Sequence, residues 1–478
     1  MKLYNTLSKK IEEFVPLEKG KVRFYHCGPT VYWTQHIGNL RGMTMGDILV
    51  RTLRYFGYSL THVRNYTDVG HLTSDSDTGE DKMEKGAKRE GLTPAEIAQK
   101  YIDIFESDTK AIHLVEPDFK PRPSTLIPEI IDMVQTLLDK NYAYVTDLAV
   151  YFDVSKFPNY TKLSRQKMDM NIQGKGKGDV EDSDKKHFED FALWIFMAGS
   201  HKNALQTWES PFISKAIQNG RGFPGWHIEC SVMAKKYLGV TLDIHMGGIE
   251  HIPIHHTNEI AQSEAANGVP FVHYWVHNEH LVINQEKMAK SQGTGLTIDE
   301  VRNKGYDPLS LRYFYLNAHY RTRQNFTWEA LTAAENSLKQ LRLLVANLSH
   351  LSNRSYLSNE KLEKVDTFRD KFDVALSNDI NTPQALAVVW EVVKSNIPSS
   401  DKSDLLLSFD EVLGLKLSDI RRQSSDMEIP VEIQELVKKR EAARKVKDFV
   451  QSDLLRDQIM KEGYMVKDLP SGPKVISQ

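Results

Sequence analysis

The strongest constraint on the fold is a strand–helix–strand pattern near the start of the chain. Residues 22–27 (VRFYHC) form a short apolar run typical of a buried strand, and residues 58–66 alternate like a second strand. Between Gly38 and Gly57, apolar residues recur every three or four positions, which predicts a helix that ends at Gly57. These apolar residues are Met45, Ile48, Leu49, Leu53 and Phe56. The pattern predicts an α/β fold on a doubly wound parallel sheet.

Looser stretches separate the elements that follow. The predicted features are a solvated excursion at 73–91, helices over 93–140, a flexible loop at 173–186, and strands at 241–246 and 279–283. A helix between those two strands is expected to begin near His255.

From about residue 328 onward the strand signal disappears. Residues 328–348 read as an amphipathic helix, and Asn381 before Thr382-Pro383 predicts the start of another. Residues 397–430 are looser, and residues 431–463 read as a charged helix pair. The chain is therefore expected to have an α/β body, a helical part and a small C-terminal part.

Composition excludes several classes of protein. The chain has 478 residues, a net charge of −3 and only two cysteines, Cys27 and Cys230. Secreted disulfide scaffolds use more cysteines, and proteins that coat DNA are more basic. We find no secretory leader at the start and no apolar run long enough to span a membrane, so a cytoplasmic location is expected.

The segment HIGN (36–39) lies where the first strand gives way to the first helix. A helix N-terminus offers free N–H groups to an anion, and Gly38 would let a flat base approach the backbone. His36 can donate to phosphate oxygens. Taken alone, the same residues could be an ordinary loop with an ordinary histidine.

A second basic segment, KMAKS (287–291), is followed by Gly293 and Gly295. Two lysines beside glycines form a loop that can close on charge developing at a phosphate. Alone, this segment could be a solvated charge run. In this order, roughly 250 residues apart, the two segments resemble the signature motifs of class I aminoacyl-tRNA synthetases.

Four dispersed residues could bind a metal ion: Cys27, Cys230, His255 and Glu259. His255 and Glu259 are four residues apart, so a helix places both on one face, whereas His256 is expected to point elsewhere. Thiolate, imidazole and carboxylate are all acceptable zinc ligands. Spacing cannot show that the four residues meet, and two inert thiols with a surface His/Glu pair remain the alternative.

Longer blocks extend the resemblance over nearly the whole chain. The segments YHCGPTVYWTQHIGN, GFPGWHIECSVM, DIHMGGIEHIPIHHTNEIAQSEA, KMAKSQGTG and NDINTPQAL are similar to successive blocks of the cysteinyl-tRNA synthetases. The resemblance implies a Rossmann-like catalytic domain at 1–327, with an insertion at about 95–225 and a mobile lysine loop near 287–295. It further implies a helical domain at 328–425 that braces tRNA and an anticodon-end domain at 426–478.

The resemblance also implies roles for individual residues. In that family the residues matching Cys27, Cys230, His255 and Glu259 bind one zinc ion, which takes the thiolate of substrate cysteine as a further ligand. The other implied residues are His36, Asn39, Lys287 and Lys290 for catalysis, His36, Gly38 and Lys290 for ATP with its Mg²⁺, and Gly28, Thr30 and Trp226 for cysteine. Without the resemblance, Trp226 could equally be a core residue.

Three positions depart from the family pattern: Asn39 ends the first motif, Ala289 lies in the second, and Met246 follows DIH. We expect these changes to touch the nucleotide pocket and alter ATP affinity. The segment DVGHLTSDSDTGED also departs, and the sequence offers no functional account of it.

The partners implied are ATP, L-cysteine and tRNA(Cys), with a monomeric enzyme expected. Six basic residues between 438 and 447 predict contact with phosphates of tRNA, although a solvated helix face would look the same. Two other functions stay open from the sequence. One is a ligase that transfers cysteine to a small sugar amine, and the other is a non-catalytic paralogue, which the Asn39 and Ala289 changes would suit.

Overall fold

The computed structural model describes residues 1–69, 81–166, 182–283, 286–287, 295–348, 359–419, 430–446, 448–469 and 472–477. The chain forms two compact units, Met1–Leu417 and Ser418–Gln478. Among the described residues, no helix is long and apolar enough to cross a membrane. The domain boundaries expected at 327/328 and 425/426 stay predictions.

Strands and helices alternate through the first unit. Its strands are β1 (Lys2–Asn5), β2 (Lys10–Glu13), β3 (Lys21–His26), β4 (Ser59–Arg64), β5 (Ala143–Val145), β6 (Ala149–Phe152), β7 (Phe191–Phe196), β8 (Gly222–Pro224), β9 (Leu242–Gly248), β10 (Val272–Asn278), β11 (Leu281–Ile283), β12 (Glu286–Lys287) and β13 (Gln324–Phe326). Its helices are α1 (Ile37–Tyr55), α2 (Lys82–Glu90), α3 (Pro94–Ala111), α4 (Ile127–Asp139), α5 (Trp226–Leu238), α6 (His255–Asn267), α7 (Ile298–Asn303), α8 (Leu309–Leu316), α9 (Trp328–Leu348), α10 (Asn359–Ser377), α11 (Thr382–Lys394) and α12 (Ser399–Leu413).

A parallel sheet with strand order β10-β9-β3-β4 forms the centre of the first unit. Helix α1 connects β3 to β4, as the sequence predicts, and Gly57 adopts a positive φ of 84° just after the helix ends. The predicted apolar residues Ile48, Leu49 and Leu53 are fully buried. The expected doubly wound α/β fold is confirmed, and a crossover helix between parallel strands is what such a sheet requires.

Between β4 and β9 the chain builds a separate antiparallel sheet, β5-β6-β7-β8, within the region expected to be an insertion. All six residues of β7 (FALWIF) are buried. A continuous apolar run of this length is typical of a strand covered on both faces. The expected strand at 279–283 corresponds to β11, which pairs with β12 and β13 and not with the central sheet.

One sequence expectation between 70 and 280 is wrong, and one strand in that range was missed. The predicted excursion at 73–91 contains helix α2, because Asp81 caps its first N–H groups and because Met83, Gly86 and Ala87 are buried against the body. The strand β10 (VHYWVHN) was not predicted. Its histidines interrupt the continuous apolar run that is typical of a buried parallel strand. Of the excursion, residues 70–80 lie outside the described residues.

Helices α9, α10, α11 and α12 pack on one another and against α1 and α8 of the α/β body. Helix α9 spans the predicted 328–348, and Asn381 caps α11 by accepting a hydrogen bond from the Gln384 N–H at 3.2 Å. The stretch 397–430, expected to be loose, contains α12. Phe409 of α12 stacks on Phe372 with ring centroids 3.9 Å apart. Tertiary burial therefore stabilises this helix, although its Ser and Asp residues have low helix propensity.

The second unit is a helix pair followed by a hairpin. The helices α13 (Val431–Lys445) and α14 (Phe449–Lys461) confirm the predicted pair, and the strands β14 (Tyr464–Leu469) and β15 (Gly472–Ser477) correct the expectation that strands end near 328. A small core of Ile433, Val437, Ile459 and Val466 holds the unit together.

A buried ion pair joins α1 to the helices behind it. The Arg312 guanidinium is 2.5 Å from the Asp47 carboxylate, and it also donates to the backbone carbonyls of Ile112, His113 and Leu413. Burial raises the pKa of Asp47, but the charges of Arg312 and Arg51 outweigh that effect and hold the pKa below its ordinary value. The pair therefore fixes three segments to the middle of α1.

We expect Asp47→Asn to lower the free energy of unfolding by about 3 kcal/mol at pH 7, because it leaves Arg312 buried without its counter-ion. Since the folded pKa of Asp47 is depressed, its contribution is present above about pH 4 and is lost as the pH falls through the folded pKa. The deficit of the variant should therefore shrink in acid. Urea unfolding across this pH range measures both effects.

The matched control is Asp366→Asn, which removes an exposed carboxylate paired with Arg369 at 3.1 Å. We expect it to change the free energy of unfolding by less than about 0.5 kcal/mol. Equal losses in the two variants would contradict the role given to Asp47.

Candidate metal centre and nucleotide cleft

The candidate metal ligands come from one strand end and two helices. Cys27 directly follows β3, where its N–H donates to the Met246 carbonyl of β9 at 3.0 Å. Cys230 lies in α5, and the His255/Glu259 pair lies in the first turns of α6, which begins at His255 as predicted. Because α5 and α6 pack on each other beside neighbouring parallel strands, residues 203 positions apart in sequence (27 and 230) meet in space.

The ligand atoms form a tight buried cluster. One atom each from Cys27, His255, His256 and Glu259 lie within 4.8 Å of one another. Cys27 Sγ is 3.3 Å from His256 Nε2, and Glu259 Oε1 is 3.0 Å from His255 Nε2. The expectation that His256 points elsewhere is wrong, because His256 is three residues before Glu259 and shares its side of the helix.

Cys230 borders this cluster and is 2% exposed. A hydrogen bond from the Cys27 thiol lowers the pKa of Cys230 to about 6, against the opposing effect of burial, and His255 contributes in the same direction. Burial raises the pKa of Cys27. The four residues predicted from the sequence are thus brought together. The lowered pKa of Cys230 favours its thiolate, the form that binds metals.

Charge inside the cluster favours a cation. Burial raises the pKa of Glu259, but the charges of His245 and His255 outweigh it and bring the pKa to about 2. Burial lowers the pKa of His255, whereas Glu259 and Cys230 raise it to about 10. Thiolate, imidazole and carboxylate facing a shared centre is a donor set that suits zinc.

Residues around the cluster orient the ligands. The Trp226 ring stacks on His255 at 4.4 Å, and His245 Nε2 lies 2.9 Å from the second oxygen of Glu259. His256 Nδ1 is 2.7 Å from His277 Nε2, which fixes the ring of His256. His245 and His277 were missed from the sequence, although His277 lies near the carboxyl end of the parallel strand β10, where ligands of such sheets bind, and His245 lies in the middle of β9.

Two glycines leave room for these contacts. A Cβ at Gly28 would lie 1.7 Å from the Asn65 carbonyl oxygen, and a Cβ at Gly247 would lie 2.6 Å from His251 and 2.7 Å from His256. A side chain at either position would displace backbone or ring atoms. The structure thus explains Gly28, expected as a substrate residue, as a close-approach position next to Cys27.

A cleft of about 760 Å³ is lined by residues of the HIGN segment and by three of the candidate ligands, Cys27, Cys230 and His255. Of the residues predicted from the sequence, those that line this cleft are Cys27, Gly28, Thr30, His36, Gly38, Asn39, Trp226, Cys230 and His255. His36 is the N-cap of α1 and accepts a hydrogen bond from the Asn39 N–H at 3.1 Å. The N-terminus of a 19-residue helix therefore opens into the cleft that three candidate metal ligands line.

The remaining predicted residues lie elsewhere or are not described. Met246, expected to touch the nucleotide pocket, is 1% exposed and packs in the core, because its side chain points away from the cleft face of β9. Lys287 is described only as backbone of β12, and Lys290 and Ala289 lie outside the described residues. The roles given to the two lysines stay predictions.

Comparison with known proteins matches residues 13–336 to a family described as tRNA synthetases class I (C) catalytic domain. A protein named Cysteine--tRNA ligase 1 from Burkholderia lata is 42% identical over 99% of this chain and 96% of its own length. Cysteine--tRNA ligases from Caldicellulosiruptor saccharolyticus and Treponema denticola are 41% and 39% identical, over 99% and 98% of this chain and 99% and 98% of their own lengths.

The solved structures add evidence on the fold. A methionyl-tRNA synthetase from Mycobacterium tuberculosis, in complex with methionyl-adenylate, matches with a TM-score of 0.54 at 13% identity, covering 84% of this chain and 90% of that one. At that identity the match supports the fold alone. The full-length relatives and the catalytic-domain match together assign this chain to the cysteine–tRNA ligase family of class I tRNA synthetases.

Proposed function

We propose that this protein activates L-cysteine with ATP and transfers the cysteinyl group to the 3′-terminal ribose of tRNA(Cys). The observation that carries the proposal is the identity of about 40% to relatives named cysteine–tRNA ligase over the whole chain. The buried Cys/His/Glu cluster supports the proposal. It would bind the sulfur of cysteine through a metal ion, and the N-terminus of α1 in the same cleft would bind the phosphates of ATP.

Cys27, Cys230, His255 and Glu259 would hold one zinc ion, and His256 lies close enough to contribute. Bound zinc would supply a strong preference for the thiolate of cysteine over the hydroxyl of serine. Packing alone discriminates poorly between such similar side chains, since the differences are worth only a few kcal/mol. Trp226, stacked on His255, would cover the substrate side chain.

The chain's own residues would then position ATP for attack. The N-terminus of α1, with His36, Gly38 and Asn39, would bind the phosphates of ATP, which Mg²⁺ would accompany. The cysteine carboxylate attacks the α-phosphorus, a new P–O bond forms, and pyrophosphate leaves. Lys290, His36 and secondarily Lys287 would stabilise the charge that develops on the α-phosphate.

Transfer to tRNA completes the reaction. The terminal ribose hydroxyl, at the 2′ position if the class I pattern holds, attacks the carbonyl carbon of cysteinyl-adenylate, and AMP leaves. The exposed basic residues of α13, which are Lys438, Lys439, Arg444 and Lys445, would contact phosphates near the anticodon end of the tRNA. Arg440, expected to belong to this set, is buried and would not take part. A monomer would suffice for both steps. A ligase for a sugar amine would carry out the first step but would leave tRNA uncharged.

The first test is Cys230→Ser, which we expect to lower the zinc content and to raise the KM for cysteine in ATP–pyrophosphate exchange by at least about tenfold, because serine oxygen is a poor zinc ligand. The KM for ATP should change much less. Metal analysis of the purified protein and exchange kinetics give both readouts.

Met233→Leu is the matched control, since Met233 lies in the same helix but packs in the apolar core. Its zinc content and cysteine KM should stay at the wild-type values. A Cys230→Ser protein with full zinc and an unchanged cysteine KM would remove Cys230 from the ligand set.

The second test concerns substrate choice. Cysteine should support pyrophosphate exchange and serine should not, and removal of zinc by a chelator should abolish the exchange with cysteine. Adding zinc back should restore it. Equal exchange with cysteine and serine in the zinc-loaded protein would contradict selection by a metal–sulfur bond.

The third test removes the residues after 425, most of the second unit, whose own core is separate from that of the body. We expect adenylate formation to survive and charging of tRNA to fall, because the basic residues of α13 are lost. Exchange and charging assays on the same preparation compare the two steps. Parallel loss of both would count against a tRNA role for this unit.

A further inference from the structure

Helix α2 presents a row of basic side chains to the cleft. Lys82, Lys85 and Arg89 line the cleft and are spaced three and four residues apart, so they share one face of the helix. The row is about 10 Å long at 1.5 Å per residue. Lys85 is exposed and makes no ion pair with any residue that the structure describes.

An aromatic ring lies at the outer end of this row. Trp33 is 38% exposed, and the Arg89 guanidinium carbon lies 3.7 Å from the centre of its ring. Tyr101 lies nearly parallel to Trp33, with ring centroids 6.5 Å apart and an interplanar angle of 12°. Arg89 is held in place by donating to the Tyr32 carbonyl at 3.0 Å and to the Tyr101 hydroxyl at 3.2 Å. The Trp33 ring is therefore backed by fixed groups while part of it faces the cleft.

The inner end of the row reaches the metal cluster. Lys82 Nζ lies 5.9 Å from the centre of the Trp226 ring, and Trp226 stacks on the candidate ligand His255. The row thus runs from the exposed Trp33 ring to the tryptophan that stacks on the candidate ligand His255.

Helix α2 is fixed between the body and the insertion. A Cβ at Gly86 would lie 3.2 Å from the Tyr32 carbonyl oxygen, so glycine lets the helix lie directly against the segment that carries Trp33. The Glu84 carboxylate accepts a hydrogen bond from the Leu205 N–H of the insertion at 2.6 Å. The row is held on a rigid element and not on a loop.

We propose that the basic row of α2 and the Trp33 ring form the docking surface for the single-stranded 3′ end of tRNA. This inference rests on the proposed function and names the path of its nucleic-acid substrate. Single strands are bound by a basic track with aromatic rings on which bases stack, and this surface has both. The terminal ribose of the tRNA must lie near the Cys/His/Glu cluster, and the preceding nucleotides must extend from there toward solvent. The basic row extends in the same direction, from Trp226 to the exposed Trp33. Glu90, paired with Arg89 at 2.7 Å and Lys100 at 2.5 Å, is the acidic group beside the row.

The test measures binding of two RNA hairpins by the full-length protein, one with a four-nucleotide 3′ single strand and one with a blunt end. We expect Trp33→Ala to raise the Kd for the first hairpin by about tenfold and to leave the Kd for the blunt hairpin unchanged, because only stacking is lost. Trp33→Phe should restore most of the affinity. Equal weakening for both hairpins would overturn the proposal.

A charge variant tests the row itself. Lys85→Gln should weaken binding of the overhang hairpin and reduce the slope of log K against log salt by about 0.7, the value for one phosphate contact on a single strand. Lys88→Gln removes the same charge from the same helix outside the cleft lining and should do neither. Identical behaviour of the two variants would overturn the assignment.

Kinetics separate this surface from the ATP site. In Trp33→Ala and Lys85→Gln the KM for tRNA should rise while cysteine-dependent ATP–pyrophosphate exchange stays at the wild-type rate. A raised KM for ATP would mean that the row binds the triphosphate and would overturn the proposal. If the wild-type protein failed to charge tRNA at all, the proposed function would fall, whereas the overhang-dependent binding would still be read directly.

Discussion

The candidate site depends on one buried negative charge. Glu259 is fully buried, yet the charges of His245 and His255 keep its pKa near 2, so the carboxylate needs positive charge around it in every state of the folded protein. His245 of β9 and His255 of the first turn of α6 both lie against the Glu259 carboxylate. Cys27 and Cys230 complete a pocket whose donors suit a thiophilic cation.

Helix α1 links the end of the cleft lined by the HIGN segment to the rest of the first unit. Helix α1 is capped by His36 in the cleft, and in its middle Asp47 forms the buried ion pair with Arg312. The same helix therefore carries the anion-binding end and the link to the helices behind the sheet.

Sequence reasoning succeeded where a pattern is local. The strand–helix–strand opening, the start of α6 at His255 and the cap of α11 at Asn381 each depend on residues within a few positions of one another. It failed for α2, β10, α12 and the final hairpin, where burial against distant elements overrides a polar or mixed composition. His256 belongs to both groups, since its helix was predicted correctly but its side of the helix was not.

By itself, the sequence determined which chemical groups are available: two thiols, an imidazole and a carboxylate one helical turn apart, and a histidine and glycine at the start of a helix. It also determined the α/β class, because hydrophobic periodicity is a property of neighbouring residues. Only the tertiary structure decided that Cys27 and Cys230 meet, that His245, His256 and His277 surround them, and that Trp33 and α2 border the same cleft. Those contacts join residues tens to hundreds of positions apart, and they exist only because packing of a parallel sheet and its helices closes the intervening loops.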